Sequence, residues 1–407
     1  MNNQLELLAP AGNFAKLKTA LQYGADAVYC GLNRCSLRAA ADNLSPEELY
    51  EAVSLAHGMG KKVYLTANVI LHNHELEGFE GLCQIAADAG VDGMILSDLG
   101  AIEIASQYKD RFHLHVSTQA SNTNYRSMNL WHKMGASRIV LARELSFEEI
   151  AEIRKNVSPE LEIELFVHGA MCIAYSGRCL LSSYLTGRDA NSGACAQPCR
   201  WNYFVTVEQR PGQPMQMVEN EHGTFLFNAK DICLVEYLDE IKRAGVNSLK
   251  IEGRVKSGYY NAIVTKAYRE ALDAYETVGA DYKKDPYYFE ELCKVSHRDY
   301  YTGFALGNPT EAGQIYGTSS YIRTYDIVGV VEKIEEGICY LEQRNRFSLG
   351  DRVEFVPPKG RFVSHTIGLM QDEKGREITC APHAQMKVRM DAPQGEFPAG
   401  TIIRKEV

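Results

Sequence analysis

The stretch Leu5-Glu-Leu-Leu-Ala-Pro-Ala-Gly-Asn-Phe-Ala-Lys-Leu-Lys-Thr-Ala-Leu-Gln-Tyr-Gly-Ala-Asp-Ala-Val-Tyr-Cys30 reads as strand, helix, turn, strand. Leu5–Leu8 and Ala27–Cys30 are short β-rich runs, the second of them wholly apolar. Asn13–Tyr23 has apolar residues at helical spacing, and Gly24 ends it where a left-handed residue is wanted. The unit then recurs. Further strands are expected at Lys62–Thr66, Gly93–Leu96, His113–Val116, Arg138–Leu141, Ile163–Val167 and Ser248–Ile251, which makes eight. Helical patterns follow at Pro46–His57, Ala101–Tyr108 and Ser146–Arg154. Ser45 precedes Pro46, and Ser146 stands three residues before Glu149, both helix-start signals. Gly60, Gly90, Gly135 and Gly245 repeat the role of Gly24. Eight strand–helix units over about 250 residues predict an α/β fold, a (β/α)8 TIM-like barrel. A doubly wound open sheet is the competing arrangement, and the unit count favours the barrel.

One unit is irregular. About 80 residues separate Val167 from Ser248, and only Asp231–Ala244 has the expected helical pattern, with Asn228 or Asp231 as its cap. The remainder, roughly 168–227, is an insertion after strand 7. Residues 257–278 form a long helical pattern. After Pro309 the texture becomes short alternating runs, among them Ile327–Val331, Arg352–Val356 and Met386–Met390, separated by Gly and Pro turns. The expected division is residues 1–308 for the barrel, insertion and trailing helices, and 309–407 for a small all-β barrel domain.

The bulk properties of the 407 residues are those of a globular enzyme-sized chain: 45% hydrophobic, 23% charged, net charge −9. The acidic balance argues against general nucleic-acid binding but leaves room for one local basic face; Arg344, Arg346, Arg352, Lys359 and Arg361 could supply it, although they read first as solvated loop charges. The opening Met1-Asn-Asn-Gln-Leu-Glu6 lacks a basic and an apolar region, and no run approaches the ~20 apolar residues of a spanning helix, so a cytoplasmic chain with no membrane partner is expected. Eleven cysteines, an odd count, then argue against a disulfide framework.

Residues just past each barrel strand share one bowl at the carboxyl ends. Here they are Asn13, Arg38, Asn68, Asp98, Ser117-Thr-Gln119, Arg143-Glu144, His168 and Glu252-Gly-Arg254. His168, Asp98 and Glu252 are the candidates for acid–base work, and Arg38, Asn68, Gln119, Arg143 and Arg254 those for binding a small anionic, hydrogen-bonding ligand. Asn13 reads equally well as a helix cap, and the arginines could belong to a structural network with Glu144 and Glu252.

Four cysteines lie within the insertion: Cys172, Cys179, Cys195 and Cys199, spaced x6, x15 and x3. Zinc sites and redox disulfides favour Cys-x2-Cys pairs, which this spacing lacks, whereas iron–sulfur clusters accept varied spacing when four thiolates converge. A [4Fe–4S] cluster is therefore preferred and zinc kept as the alternative. Cys233 is a spare candidate for the fourth ligand. Hydrolase signatures are missing: the fourth residue after His74-Glu75 would need to be histidine and is Gly78 after His74, and no Gly-x-Ser-x-Gly occurs.

The runs Leu7-Leu-Ala-Pro-Ala-Gly12, Gly24-Ala-Asp-Ala-Val-Tyr29, Ser36-Leu-Arg38, His168-Gly-Ala-Met-Cys172, Tyr175-Ser-Gly-Arg-Cys179 and Ser248-Leu-Lys-Ile-Glu-Gly-Arg254 resemble the collagenase-like peptidase family U32 over essentially the whole chain. The family name implies proteolysis. Other members act in RNA or quinone hydroxylation, and the chain is most similar to the branch that makes 5-hydroxyuridine at the tRNA wobble position with prephenate. Cys172, Cys179, Cys195, Cys199-Arg-Trp201, Glu221-His-Gly223 and Asn228-Ala-Lys-Asp231 carry that likeness. The resemblance implies a [4Fe–4S] cluster on the four cysteines, tRNA and prephenate as partners, and possible pairing with a family paralogue. The rRNA-hydroxylating and quinone-hydroxylating branches and a peptidase are the alternatives it implies.

Overall fold

The computed structural model describes residues 4–33, 36, 43–172, 179–188, 190–191, 193–201, 219–220, 223–224, 229–309, 313, 315 and 321–407. Eight strands form the barrel: β1 (Glu6–Pro10), β2 (Ala27–Gly31), β3 (Lys62–Ala67), β4 (Gly93–Leu96), β5 (His113–Val116), β6 (Ala136–Val140), β7 (Glu162–Ala170) and β8 (Ser248–Ile251). Each pairs in parallel with the next, and β8 pairs in parallel with both β7 and β1, which closes the ring. Sequential parallel neighbours with no reversal of order rule out the doubly wound sheet.

Local chemistry makes each unit. Ser45 and Ser146 both form capping boxes, with Glu48 and Glu149 reaching back to the cap backbone. Outward strand residues such as Leu7, Val28, Val63 and Ile139 pack against the helices in one large core. Inside the ring a much smaller cluster, Leu8, Ala27, Tyr29, Tyr64 and Ile95, fills part of the space. The rest of the lower interior is ionic. The Arg138 guanidinium donates to Glu6 at 2.5 Å and Glu164 at 3.2 Å, and Lys250 donates to Glu164 at 2.7 Å. Burial alone would raise the Glu6 carboxyl, and the Arg138 guanidinium overrides it and holds the group below its ordinary range.

Two elements differ from the sequence reading. β7 runs to Ala170 rather than stopping at Val167, because the short strand Asp231–Cys233 pairs antiparallel with residues 168–170. Asp231 is therefore not a helix cap. It is buried and paired with Arg298, and the helix begins only at Leu238 and ends at Arg243. The insertion thus rejoins the barrel by extending β7, and half of it, like the cap candidate Asn228, lies outside the described residues.

The C-terminal domain is a seven-stranded antiparallel sheet with its own core, which includes Val331, Leu341, Phe355 and Met390. Among the described residues no ladder joins its edge strands Val363–Thr366 and Met370–Asp372, so it is an antiparallel sheet domain where a closed barrel was expected. It is tied to the first domain by Tyr23, whose hydroxyl lies 2.9 Å from the Val356 carbonyl and accepts the Ile402 N–H at 3.0 Å. The buried Arg404 reaches across in the same way, to Glu291 at 2.7 Å. Among the described residues no helix is long and apolar enough to cross a membrane.

Candidate active site at the barrel mouth

A cavity of about 190 Å³ opens at the carboxyl ends of the strands. Asn68, Gln119, Arg143, Glu252 and Arg254 all line it, so five of the eight candidates from the strand ends meet there. Arg143 donates to the Ala170 carbonyl at 3.0 Å and lies over the Phe166 ring at 5.6 Å. Arg254 is buried and donates to the Thr66 hydroxyl at 2.5 Å. Asn68 donates to Ser117 at 3.3 Å, and the same hydroxyl accepts the Gln119 N–H at 3.2 Å. Glu252 accepts from the Tyr29 hydroxyl at 3.2 Å. Gly31 clears the ground beneath Arg254: a Cβ there would sit 2.8 Å from the guanidinium and 2.5 Å from the Ser36 hydroxyl.

The other three candidates behave differently. Arg38 lies outside the described residues. Asp98 does not line the cavity. Its carboxylate accepts the Gly100 and Ala101 N–H groups and caps the helix Leu99–Ala105. Asn13 is likewise a cap, accepting the Lys16 N–H.

His168 is turned away from the cavity, and a β-bulge is the reason. β7 and β8 pair Phe166 with Lys250 and then His168 with Ile251, so β7 carries one extra residue. The bulge reverses the side-chain phase. Phe166 faces the cavity, whereas His168 joins the outer shell among the rings of Tyr260, Tyr268 and Tyr300. Burial there, with added repulsion from His297 and Lys256, pushes its pKa down to about 3, so the imidazole is neutral at physiological pH. It is a buried aromatic-cage residue and not an acid–base group of the cavity.

All four insertion cysteines, Cys172, Cys179, Cys195 and Cys199, line the same cavity, each half-buried. None of the ten described cysteines is in a disulfide. The Gln197 N–H donates to the Cys195 sulfur at 3.3 Å, a contact that favours a thiolate or a ligating sulfur. The donors thus fit a thiolate-ligated cluster in type and number, and all four line one cavity. The sulfurs are not drawn into a coordination shell: among the described residues no group of three or more His, Cys, Asp or Glu side chains is arranged to hold a metal ion. Cys233 does not line the cavity. It is buried behind β7 beside the Tyr268 hydroxyl, and burial pushes its thiol up to about 12.

Lys250, Tyr29 and Phe166 line the cavity and were not among the sequence candidates. Their signal was available: Lys250 is a charged residue set between Leu249 and Ile251 in an apolar strand, which places it on the inner face.

A closed parallel barrel whose carboxyl-end cavity joins guanidinium groups, a carboxylate and four thiols is an enzyme architecture. The family model for peptidase family U32 matches residues 12–315, and that for the family's C-terminal domain matches residues 323–404. The chain belongs to peptidase family U32. It is 41% identical over 399 residues to tRNA hydroxylation protein P1 of Bacillus subtilis, covering 98% of this chain and 94% of that one. Identity to tRNA hydroxylation protein P of Escherichia coli is 36% over 430 residues, covering 96% and 94%. A collagenase of Porphyromonas gingivalis is 31% identical over 315 residues, covering 75% and 74%.

Proposed function

We propose that this chain is an RNA-modifying enzyme that places a hydroxyl on C5 of the tRNA wobble uridine, with prephenate as the required metabolite and a [4Fe–4S] cluster held by Cys172, Cys179, Cys195 and Cys199. The observation that carries the reading is that these four thiols and the guanidinium groups of Arg143 and Arg254 wall one cavity at the catalytic end of the barrel. Relatives named as tRNA hydroxylation proteins, matched over nearly their full length, support the choice of substrate. When bound, such a cluster supplies an electron-transfer or Lewis-acid centre at the cavity wall. Arg143 and Arg254 pair with the metabolite's carboxylates. Asn68 and Gln119 orient polar ring substituents through hydrogen bonds. Glu252, steadied by Tyr29, is the carboxylate placed to accept or return a proton. Zinc in place of the cluster is the weaker alternative. The C-terminal domain docks RNA through phosphate contacts, a paralogue shares the work in hosts that have one, and the cytoplasm is where the substrate is found. The collagenase relative raises a peptidase reading, but no histidine lines the cavity among the described residues to serve a nucleophile.

The test pairs a cell and a spectrum. Deleting the gene, with any paralogue, is expected to remove 5-hydroxyuridine-derived nucleosides from tRNA digests. A wild-type copy restores them and a Cys195→Ser copy does not. Protein purified without air is expected to be brown, absorbing near ~400 nm. Complementation by a copy lacking all four cysteines would end the cluster reading, and unchanged tRNA in the deletion strain would end the substrate reading.

A further inference from the structure

The floor of the cavity holds one group that the reaction above leaves unused, the amine of Lys250. The residue is only 4% exposed yet lines the cavity. Its Nζ donates to Glu164 at 2.7 Å and lies 4.6 Å from the centroid of the Tyr29 ring and 5.4 Å from that of Phe166. Glu164 is fully buried and has a further donor in Arg138 at 3.2 Å, with the Ser248 hydroxyl, shared with Glu6 at 3.1 Å, 3.4 Å away. The carboxylate therefore keeps hydrogen-bond partners when the lysine nitrogen changes its bonding, and the usual cost of orphaning a buried charge does not arise. A desolvated amine beside a proton acceptor is the arrangement that attacks carbonyl carbon. Arg143 and Arg254 on the walls of the same cavity select a molecule that also carries a carboxylate.

We propose that Lys250 forms a protonated imine with the carbonyl carbon of a small oxo acid bound in this cavity, with Glu164 carrying the proton. This rests on the reading that the cavity binds a small carboxylate metabolite, and it names the functional group recognised at its floor. The ammonium gives a proton to Glu164, and the freed amine adds to the carbonyl carbon. The C–N bond forms as the C=O π bond opens. The adduct nitrogen passes one proton to the new alkoxide, Glu164 returns its proton to the resulting hydroxyl, and water leaves as the nitrogen lone pair forms the C=N bond. Overall, one ammonium and one ketone become one iminium and one water, with no change of oxidation state. The iminium of the product stands beside the Glu164 carboxylate as the ammonium did, so the step begins and ends with a buried ion pair.

The test uses the purified full-length protein, incubated separately with pyruvate and phenylpyruvate in the presence of cyanoborohydride, followed by peptide mass spectrometry. A reduced adduct is expected on Lys250, absent with lactate, lost in Lys250→Arg and slowed in Glu164→Gln. Glu164→Gln keeps the side-chain size and decides the matter if Lys250→Arg does not fold: adduct formation at the wild-type rate in that variant overturns the proposal. Absence of an adduct on wild-type Lys250 also overturns it. Equilibrium dialysis then separates the two ideas. An oxo acid retained without coupling removes the lysine chemistry and leaves the carboxylate-binding reading standing. One neither retained nor coupled removes both.

Discussion

His168 shows how one residue's chemistry follows from the side of a strand it occupies. Three tyrosine rings lie with centroids 5.2–5.9 Å from the imidazole, and the Tyr300 hydroxyl meets its Nε2 at 3.4 Å. The ordinary value of 6.5 applies in the unfolded chain, and the folded group titrates near 3. Between those values the unfolded chain binds the additional proton, so folding stability is complete above pH 6.5 and declines as the pH falls towards 3. His168→Phe keeps an aromatic ring in the cage and removes the titration. Urea midpoints measured from pH 7 to pH 4 should therefore fall less steeply in the variant than in the wild-type protein. Parallel slopes would place the imidazole in water and refute the buried position.

At the scale of elements, the barrel was readable because its units are locally consistent. The expected strands Gly93–Leu96, His113–Val116 and Ser248–Ile251 match the observed ones residue for residue. The capping boxes at Ser45 and Ser146 also mark true helix starts. What escaped was non-local. The antiparallel pairing of Asp231–Cys233 with the end of β7 joins residues about 60 apart in sequence, so periodicity took the strand for the start of a helix. A bulge likewise leaves no period of its own, and with it went the side on which His168 lies. In the site, strand-end arithmetic found Asn68, Gln119, Arg143, Glu252 and Arg254, but it could not separate Asp98, a helix cap, from a ligand. The β7 end supplies its own test. Gly169 has φ of +107°, and a Cβ there would sit 2.5 Å from the Glu252 carbonyl oxygen. Gly187 has φ of +69° with open space around it. Both alanine variants pay for the left-handed backbone, more than about 1 kcal/mol, but only Gly169→Ala also displaces Glu252. Chemical denaturation should rank Gly169→Ala as clearly the less stable. Equal losses would mean that the close approach to Glu252 has no energetic weight.

Across the whole molecule, the terminal sheet domain is bound to the barrel by groups that neither part satisfies alone. Arg404, fully buried on a strand of the sheet domain, donates at 2.7 Å both to Glu354 of its own domain and to Glu291 of the helix Pro286–Leu292 in the first. Burial alone would raise the Glu291 carboxyl, and hydrogen bonding and attraction from Arg404, with help from Lys294, hold it below its ordinary range. Val356 and Ile402 of the sheet domain pack into the barrel's core, and Tyr23 of the first domain meets the backbone of both. Coupling of this kind makes the two domains unfold together, since separating them exposes apolar surface and strands a buried carboxylate at the same time. Arg404→Met removes one partner of a buried pair, a change that typically costs about 3–5 kcal/mol. Calorimetry should show one transition in the wild-type protein. In Arg404→Met the sheet domain should melt first and the barrel later, giving two. Two transitions already present in the wild-type protein would show that the domains are neighbours without energetic coupling. A single transition at unchanged temperature in the variant would show that Arg404 contributes nothing to holding them together.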